Sequence, residues 1–326
     1  SSPPNIIFFL ADDLGWADTS FRGNPQIPTP NLDVLASTGI ILNNYYVQSV
    51  CTPSRGALMS GLYPIHTGLQ HGIELPAEPS GLPLNFTIMP QYLKELGYTS
   101  HIVGKVMAYL AFWYHKESYT PTYRGFESFY GYYNGGEDYY THAFYSVSVL
   151  LEPPHSWLHE PGSSLSAAND DFVLFLGSHF SCIWHIRLYS VVTTGLDSKP
   201  LSPPLHIFPT SEARTGPFLQ VNFPHIYWAY TPRLDRSIGL VIESLHRKDM
   251  LKNSIIVFST DNGALPTGRA SNGGYNWPLR GAKGSLWEGA VRGASFVWSP
   301  LLSKSGRLSN QMMHITDWLP TLYSAA

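Results

Sequence analysis

Two pairs of oxygen-bearing side chains follow apolar runs that predict buried strands. Asp12 and Asp13 come directly after "NIIFFLA", and Asp261 and Asn262 come directly after "SIIVFST". Because ligand sites of parallel sheets lie off the carboxyl ends of the strands, we expect all four side chains there. Carboxylate and amide oxygens suit a hard divalent cation, so the pairs indicate a Ca²⁺ site, with Mg²⁺ as the alternative. Taken singly, each pair is more typical of a capped or tight turn.

A cysteine provides a further reactive group, within the stretch "CTPSRGALMSG". Pro53 suits the first turn of a helix, so Cys51 is expected at a helix N-terminus, facing an anion site. Arg55 would hold an anionic group there through paired N–H donors. A small buried core thiol is the more common role of a lone cysteine. Because the chain has two cysteines, a single Cys51–Cys182 disulfide is also open.

The segments that must position these groups alternate between helix and strand. Helical patterns occupy 29–39, the first part of 89–105, 234–251 and 316–325, and strand patterns occupy 5–13, the end of 89–105, 253–263 and 293–300. This alternation predicts an α/β fold with a mainly parallel sheet. Turn-forming residues dominate 141–216, where few elements are predicted.

Composition narrows the class of protein. The 326 residues are 44% hydrophobic, which is enough for a sizeable core. A net charge of -3 without a basic cluster gives no support to nucleic-acid binding. No run reaches the ~20 apolar residues of a membrane span. The first four residues show no signal-peptide pattern. One sequon, Asn85-Phe86-Thr87, is compatible with a secreted glycoprotein.

The stretch around Cys51 resembles the signature of the formylglycine-dependent sulfatase family. In that family the cysteine of a Cys-x-Pro-Ser-Arg stretch, with a downstream Leu and Gly (here Leu58 and Gly61), is oxidised to formylglycine. "NIIFFLADDLGWAD", "SGLYPIHTGLQH", "MPQYLKELGYTSHIVGK" and "NWPLRGAKGSLWEGAVRG" extend the resemblance, which covers roughly 1–140 and 234–326. Several of these stretches look specifically like the arylsulfatase B group, the N-acetylgalactosamine-4-sulfatases and their arylsulfatase I and J relatives.

The resemblance implies an alkaline-phosphatase-like core in which helices flank a mainly parallel, mixed sheet. It implies a single sulfatase catalytic domain over 1–326, with 141–233 divergent or partly deleted. The family's small C-terminal sheet subdomain is expected to be missing.

Matched positions carry the family's site onto this chain. The modified Cys51 side chain would complete the cation site together with Asp12, Asp13, Asp261 and Asn262. Arg55 would hold the formylglycine hydrate, while Lys105 and Lys283 would bind sulfate oxygens. A hydrated aldehyde carries two hydroxyls on one carbon. One attacks sulfur and expels the alcohol, and the other then collapses to the aldehyde and releases sulfate.

Two histidines of the family are altered. Met107 stands where a histidine is expected to assist at the hydrate, and loss of such a group costs about 10²–10⁴-fold. His225 is the candidate to protonate the leaving alcohol, although its spacing is short; a loop or core histidine is the alternative. Three interpretations follow: a working sulfatase with altered acid catalysis, a non-catalytic sulfatase-fold binding protein or aberrant product, and a phosphodiesterase or phosphonate hydrolase.

The resemblance also implies partners and a compartment. We expect a sulfated sugar as substrate, with N-acetylgalactosamine 4-sulfate of glycosaminoglycans as the suggestion and aryl sulfates as surrogates. The formylglycine-generating enzyme is the expected maturation partner. A lysosomal or secreted location follows from the family and from a modification made in the endoplasmic reticulum.

Overall fold

The structure is a computed structural model, and it describes residues 2–70, 81–105, 117–132, 158–159, 172–177, 223–268 and 271–326. Within these ranges the strands are β1 (Asn5–Ala11), β2 (Ile40–Tyr46), β3 (Thr99–Lys105), β4 (Phe126–Tyr132), β5 (Leu158–His159), β6 (Phe172–Gly177), β7 (Ser254–Thr260), β8 (Ser295–Trp298) and β9 (Arg307–His314). The α-helices are α1 (Pro30–Thr38), α2 (Cys51–Ser60), α3 (Pro64–Thr67), α4 (Met89–Glu95), α5 (Phe223–Arg247), α6 (Glu288–Val291) and α7 (Trp318–Ala325).

All nine described strands join one mixed sheet in the order β5-β4-β3-β6-β1-β7-β8-β2-β9. The central strands run parallel, whereas β8 is antiparallel to both β7 and β2, and β5 is antiparallel to β4. The predicted mainly parallel sheet is therefore confirmed. Ala11 at the end of β1 lies opposite Thr260 at the end of β7. The two acidic pairs thus leave neighbouring strands at the same level.

Helices cover both faces of the sheet, which explains the uninterrupted apolar sequence of β1. Ile6 and Phe8 pack in a core shared with α2, α4 and α7. Ile7 and Phe9 point to the opposite face and pack in a second core with α1 and α5. Among the described helices none is both long enough and apolar enough to cross a membrane.

Helix α5 differs from its predicted bounds. It begins at Phe223 instead of Leu234 and includes Pro232. A proline inside a helix removes one main-chain hydrogen bond, and this helix continues through it. Its end comes earlier than predicted, at Arg247, and Asp249 just beyond it has a left-handed backbone with φ 57°.

Five of the described strands lie where the sequence predicted none: β2, β4, β5, β6 and β9. Two of them, β6 and β9, show why. β6 belongs to the turn-rich region, yet it pairs with both β1 and β3. β9 is a largely exposed strand at the sheet edge with little apolar alternation. Both form through pairing with distant strands, which local pattern does not encode.

The protonation of a histidine in β3 is expected to make stability pH-dependent. His101 Nδ1 lies 2.7 Å from Ser128 Oγ, and burial lowers the pKa of His101 from 6.5. The unfolded state therefore takes up the proton first, so the free energy of unfolding is expected to fall as the pH drops below 6.5. His101→Gln is expected to flatten this part of a urea-unfolding series from about pH 5 to 8. Exposed His246→Gln is the control, and an unchanged slope in His101→Gln would refute the assignment.

Candidate active site

The acidic residues converge at the carboxyl edge of the sheet. Asp12 and Asp13 follow β1, and Asp261 follows β7. One carboxylate oxygen from each of them and the Sγ atom of Cys51 all lie within 4.8 Å of one another. The structure therefore brings together four of the predicted cation ligands.

The fifth predicted ligand, Asn262, adjoins this group. Its Nδ2 donates to Asp13 Oδ1 over 2.7 Å, while its buried Oδ1 has no hydrogen-bond partner in the described ranges. Gly263 follows it, and a Cβ there would lie 1.8 Å from the Gly289 carbonyl oxygen. The glycine of the Asp-Asn-Gly sequence thus allows the backbone at 263 to pass close to the backbone at 289. It does not form a hairpin turn.

Cys51 is the first residue of α2, as its position before Pro53 predicted. It is a free, buried thiol, so the disulfide alternative is wrong. Its Sγ lies 3.3 Å from Asp12 Oδ1 and 3.5 Å from Asp13 Oδ1. Burial and the charge of Asp12 raise the pKa of Cys51 well above its usual value. The unmodified side chain is therefore a neutral thiol and a poor nucleophile.

Arg55 lies one helical turn beyond Cys51 and is fully buried. Its Nε donates to Asp261 Oδ2 over 2.8 Å, and its Nη2 donates to Asp12 Oδ1 over 3.0 Å. Burial alone would lower the pKa of Arg55, but the charges of Asp261 and Asp12 raise it. The buried Nη1 has no hydrogen-bond partner among the described atoms. One strong donor is thus left for a ligand.

Two lysines bind the carboxylates of Asp12 and Asp13. Lys105, the last residue of β3, is 1% exposed, and its Nζ lies 2.9 Å from both oxygens of Asp12. Lys283 Nζ lies 2.6 and 2.7 Å from the oxygens of Asp13 and 3.3 Å from Cys51 Sγ. Neither lysine is the solvated surface group that a lone lysine usually is.

These charges act on one another strongly. Burial alone would raise the pKa of Asp12, but Lys105 and Arg55 hold it well below its usual value. Burial and the neighbouring Asp12 charge instead raise the pKa of Asp261 to about 7. The cationic side chains therefore do not fully balance the negative charge of Asp261. An added positive charge, such as a metal ion, would stabilise its ionised form.

The donor set fits a divalent cation next to an anion. Three carboxylates and the partnerless Asn262 Oδ1 are the oxygen ligands that Ca²⁺ takes. The partnerless Arg55 Nη1 and the two lysine ammonium groups are donors suited to a tetrahedral oxyanion. The cluster thus contains both oxygen ligands for a cation and N–H donors for an oxyanion.

Two residues that the sequence singles out lie partly or wholly outside the described part of the structure. His225 is the third residue of α5, and its side chain is outside the described part of the structure. Met107 lies outside the described residues. The predicted roles of His225 and of the altered position at Met107 stay predictions.

A further residue at the cluster was missed by sequence reasoning. Asn272 Nδ2 donates to the backbone carbonyl of Asp13 over 2.7 Å. Its Asn-Gly-Gly context signals a turn. This turn pattern lies in the sequence between Asn262 and Lys283. The pattern predicts a turn but not which residues the turn contacts.

Comparison with known proteins places the chain among related sequences. A family model described as Sulfatase matches residues 4–326. The chain is 40% identical over 338 residues to arylsulfatase J of Mus musculus, covering all of this chain and 53% of that protein. It is 27% identical over 340 residues to N-acetylgalactosamine-6-sulfatase of Canis lupus familiaris, covering 99% and 62%. The chain thus spans about half to three fifths of the length of these relatives.

Solved structures share the fold. The crystal structure of Ps i-CgsB in complex with k-i-k-neocarrahexaose matches with a TM-score of 0.75 at 24% identity. That match covers 99% of this chain and 72% of the other chain.

Proposed function

The chain belongs to the sulfatase family, and from this premise we propose that it hydrolyses sulfate esters at the cluster around Cys51. The observation that carries the proposal is the position of Cys51 at the start of α2, within reach of Asp12, Asp13 and Lys283. Three carboxylates and three cationic groups surround a thiol that is itself uncharged, so the thiol does not explain them. A bound metal ion and a bound sulfate group would explain both sets of charges.

The ion we propose is Ca²⁺. The carboxylate oxygens of Asp12, Asp13 and Asp261, Asn262 Oδ1 and the modified Cys51 side chain would hold it. When bound, it would lower the pKa of the attacking hydroxyl and polarise a sulfate oxygen. Ca²⁺ is favoured over Mg²⁺ because Ca²⁺ accepts many protein oxygens, whereas Mg²⁺ usually keeps several waters.

The nucleophile we propose is formylglycine, made from Cys51 by the formylglycine-generating enzyme. Its hydrate would supply two hydroxyls on one carbon, so that sulfate leaves without water attacking sulfur. The unmodified thiol is not proposed as the nucleophile, because burial and the charge of Asp12 raise its pKa and keep it protonated.

The cationic side chains then have distinct roles. Arg55 binds Asp261 through Nε and Asp12 through Nη2, and it keeps Nη1 for the hydrate or a sulfate oxygen. Lys105 and Lys283 approach the cluster from β3 and from the segment before α6. Their ammonium groups balance the charge of the sulfuryl group during transfer.

The substrate class we propose is a sulfated sugar. Arylsulfatase J and N-acetylgalactosamine-6-sulfatase are among the similar proteins, and a neocarrahexaose is bound in one matched structure. N-acetylgalactosamine 4-sulfate is the specific ester suggested by the sequence resemblance, and a fluorogenic aryl sulfate is the practical surrogate.

Removal of the cation tests the proposal. Chelation and dialysis are expected to abolish aryl sulfate hydrolysis and to lower the melting temperature, with both restored by Ca²⁺. At a concentration 100 times the dissociation constant, the ion would add about 2.7 kcal/mol to the free energy of unfolding. Mg²⁺ titrated in parallel decides between the two ions. Full activity and an unchanged melting temperature in the metal-free protein, verified by elemental analysis, would reject the cation site.

The proposed compartment is lysosomal or secreted, and it makes Asn85 a glycosylation acceptor. Asn85 and Thr87 are exposed in a turn that is closed by a hydrogen bond from Phe86 N to the Pro83 carbonyl. The buried guanidinium of Arg124 donates to the carbonyls of Leu82 and Phe86, so both ends of the turn are fixed.

Secretion from a eukaryotic host is therefore expected to yield a glycan on Asn85, seen as conversion of Asn85 to aspartate by glycosidase in the peptide mass. Asn85→Gln and Thr87→Ala are expected to lose the glycan, whereas Thr87→Ser keeps the acceptor motif and is expected to retain it. Unmodified Asn85 in secreted protein would refute the assignment.

A further inference from the structure

The backbone of Asp13 has a conformation that few non-glycine residues adopt. Its φ of 56° lies in the left-handed region, where strain is tolerated only when surrounding contacts hold it. In this conformation the Asp13 carboxylate meets Asn262, Lys283 and Cys51. Whatever holds this backbone therefore helps to place a proposed cation ligand.

Three groups bind the backbone of residues 13–14. Asp13 N donates to Asp261 Oδ1 over 3.1 Å. The Thr260 hydroxyl lies 3.1 Å from the Leu14 carbonyl oxygen and shares its one proton between that oxygen and the Asn262 carbonyl oxygen at 2.8 Å. The shortest of the three is the bond from Asn272 Nδ2 to the Asp13 carbonyl, at 2.7 Å. Thr260 and Asp261 belong to the end of β7, whereas Asn272 comes from a separate turn.

That turn is itself held firmly. Asn272 Oδ1 accepts from Leu265 N over 3.2 Å and from Gly274 N over 3.1 Å. The orientation of the side-chain amide, with Nδ2 towards Asp13, is thereby fixed by two backbone donors.

The turn and the loop after β1 also interlock beyond Asn272. Tyr275 N donates to Asp18 Oδ1 over 2.7 Å, and Ala17 N donates to the Tyr275 carbonyl over 2.9 Å. A Cβ on Gly15 would lie 2.2 Å from the same carbonyl oxygen, so a glycine is required for this approach. These contacts fix the position of the turn relative to the loop after β1. The Asn272 amide forms the contact nearest to Asp13.

We propose that Asn272 is a positioning residue for the cation site: its amide holds the Asp13 backbone in the left-handed conformation that points the carboxylate into the cluster. This inference rests on the proposed cation site. Groups that orient metal ligands from behind typically contribute about 10–100-fold to metal affinity. Asn272 touches neither the ion nor the substrate in this role.

A matched control exists on the opposite side of the molecule. Asn253 is half-buried like Asn272, and its Nδ2 donates over 2.8 Å to the Pro3 carbonyl. Both amides tie a segment near β7 to a segment near β1 through a main-chain carbonyl. Asn253 lies before β7, at the end of the sheet away from the cluster.

The test is the affinity of the full chain for Ca²⁺, measured by competition with a fluorescent chelator in the unmutated protein, Asn272→Ala, Asn272→Asp and Asn253→Ala. Asn272→Asp retains the acceptor and loses the donor, so it separates the Asp13 bond from the turn's own bonds. We expect about 10–100-fold weaker binding in both Asn272 variants and unchanged binding in Asn253→Ala. The free energy of unfolding of the metal-free protein is measured for each variant.

A second readout reports the ligand shell directly. With Tb³⁺ in place of Ca²⁺, the luminescence lifetime is expected to shorten in the Asn272 variants, because water replaces the Asp13 carboxylate. Unchanged affinity and lifetime in Asn272→Ala would overturn the inference, as would equal losses in Asn272→Ala and Asn253→Ala. Absence of Ca²⁺ binding by the unmutated chain would overturn the cation site and the inference together, whereas binding insensitive to Asn272 overturns the inference alone.

Discussion

Cys51→Ala is expected to reduce the turnover of a fluorogenic aryl sulfate by at least about 10⁴-fold, because the residue that attacks sulfur is no longer formed. Alanine is small enough for the buried space at the start of α2, so the fold is expected to survive. The measurement is the steady-state rate of protein co-expressed with the formylglycine-generating enzyme. Retention of most of the turnover would show that hydrolysis occurs elsewhere on the chain.

Cys51→Ser is the informative companion variant. Serine has a single hydroxyl, so a sulfuryl group transferred to it would remain as a stable ester. We expect no steady-state turnover and an intact protein mass increased by one sulfuryl group after incubation with substrate. An unlabelled serine variant would mean that the second hydroxyl or the ionisation of the hydrate is needed even for the first transfer.

Arg55→Met is expected to lower the free energy of unfolding by about 3–5 kcal/mol, the cost of leaving a buried charge without its partner. Arg55 is fully buried between Asp12 and Asp261, and methionine fills similar volume without charge. The measurement is urea unfolding of metal-free protein at a pH well above 7, because the pKa of Asp261 is about 7 with Arg55 in place and loss of Arg55 would raise it further.

Two controls separate charge from packing at Arg55. Arg55→Lys retains the charge and is expected to lose less stability than Arg55→Met. In the double variant with Asp261→Asn, the effect of Arg55→Met is expected to shrink, because Asp261 is the carboxylate that loses its cationic partner, whereas Asp12 keeps Lys105. An undiminished loss in the double variant would assign the effect to packing.

The central strands β1 and β7 could be predicted because their uninterrupted apolar sequences indicate strands that are buried on both faces of the sheet. β1 and β7 are apolar runs that end in polar residues, and the structure places their ends side by side. β6 and β9 could not be predicted, because pairing with distant strands determines them. The predicted start of α5 at 234 was wrong, because the helix continues towards the N-terminus through Pro232 to Phe223.

The residues of the candidate site also differ in whether the local sequence could predict them. The oxygen ligands and the helix N-terminal cysteine follow from residue type and position next to a strand or a proline. The contacts of Lys105 and Lys283 required the resemblance, since lysine alone predicts an exposed side chain. Asn272 was missed because its contact with Asp13 joins residues 259 positions apart, and no local pattern encodes such a bond.

We propose that this chain hydrolyses sulfate esters through a residue made from Cys51. The most direct test compares hydrolysis of an aryl sulfate and an aryl phosphate diester by Ca²⁺-loaded protein whose converted Cys51 is verified by peptide mass, with Cys51→Ala as the blank. Sulfate turnover is expected to exceed phosphate turnover and to be absent from the blank, even with Met107 at a position where relatives are expected to have histidine. No sulfate turnover from converted protein, or a preference for the phosphate ester, would refute sulfate hydrolysis through Cys51.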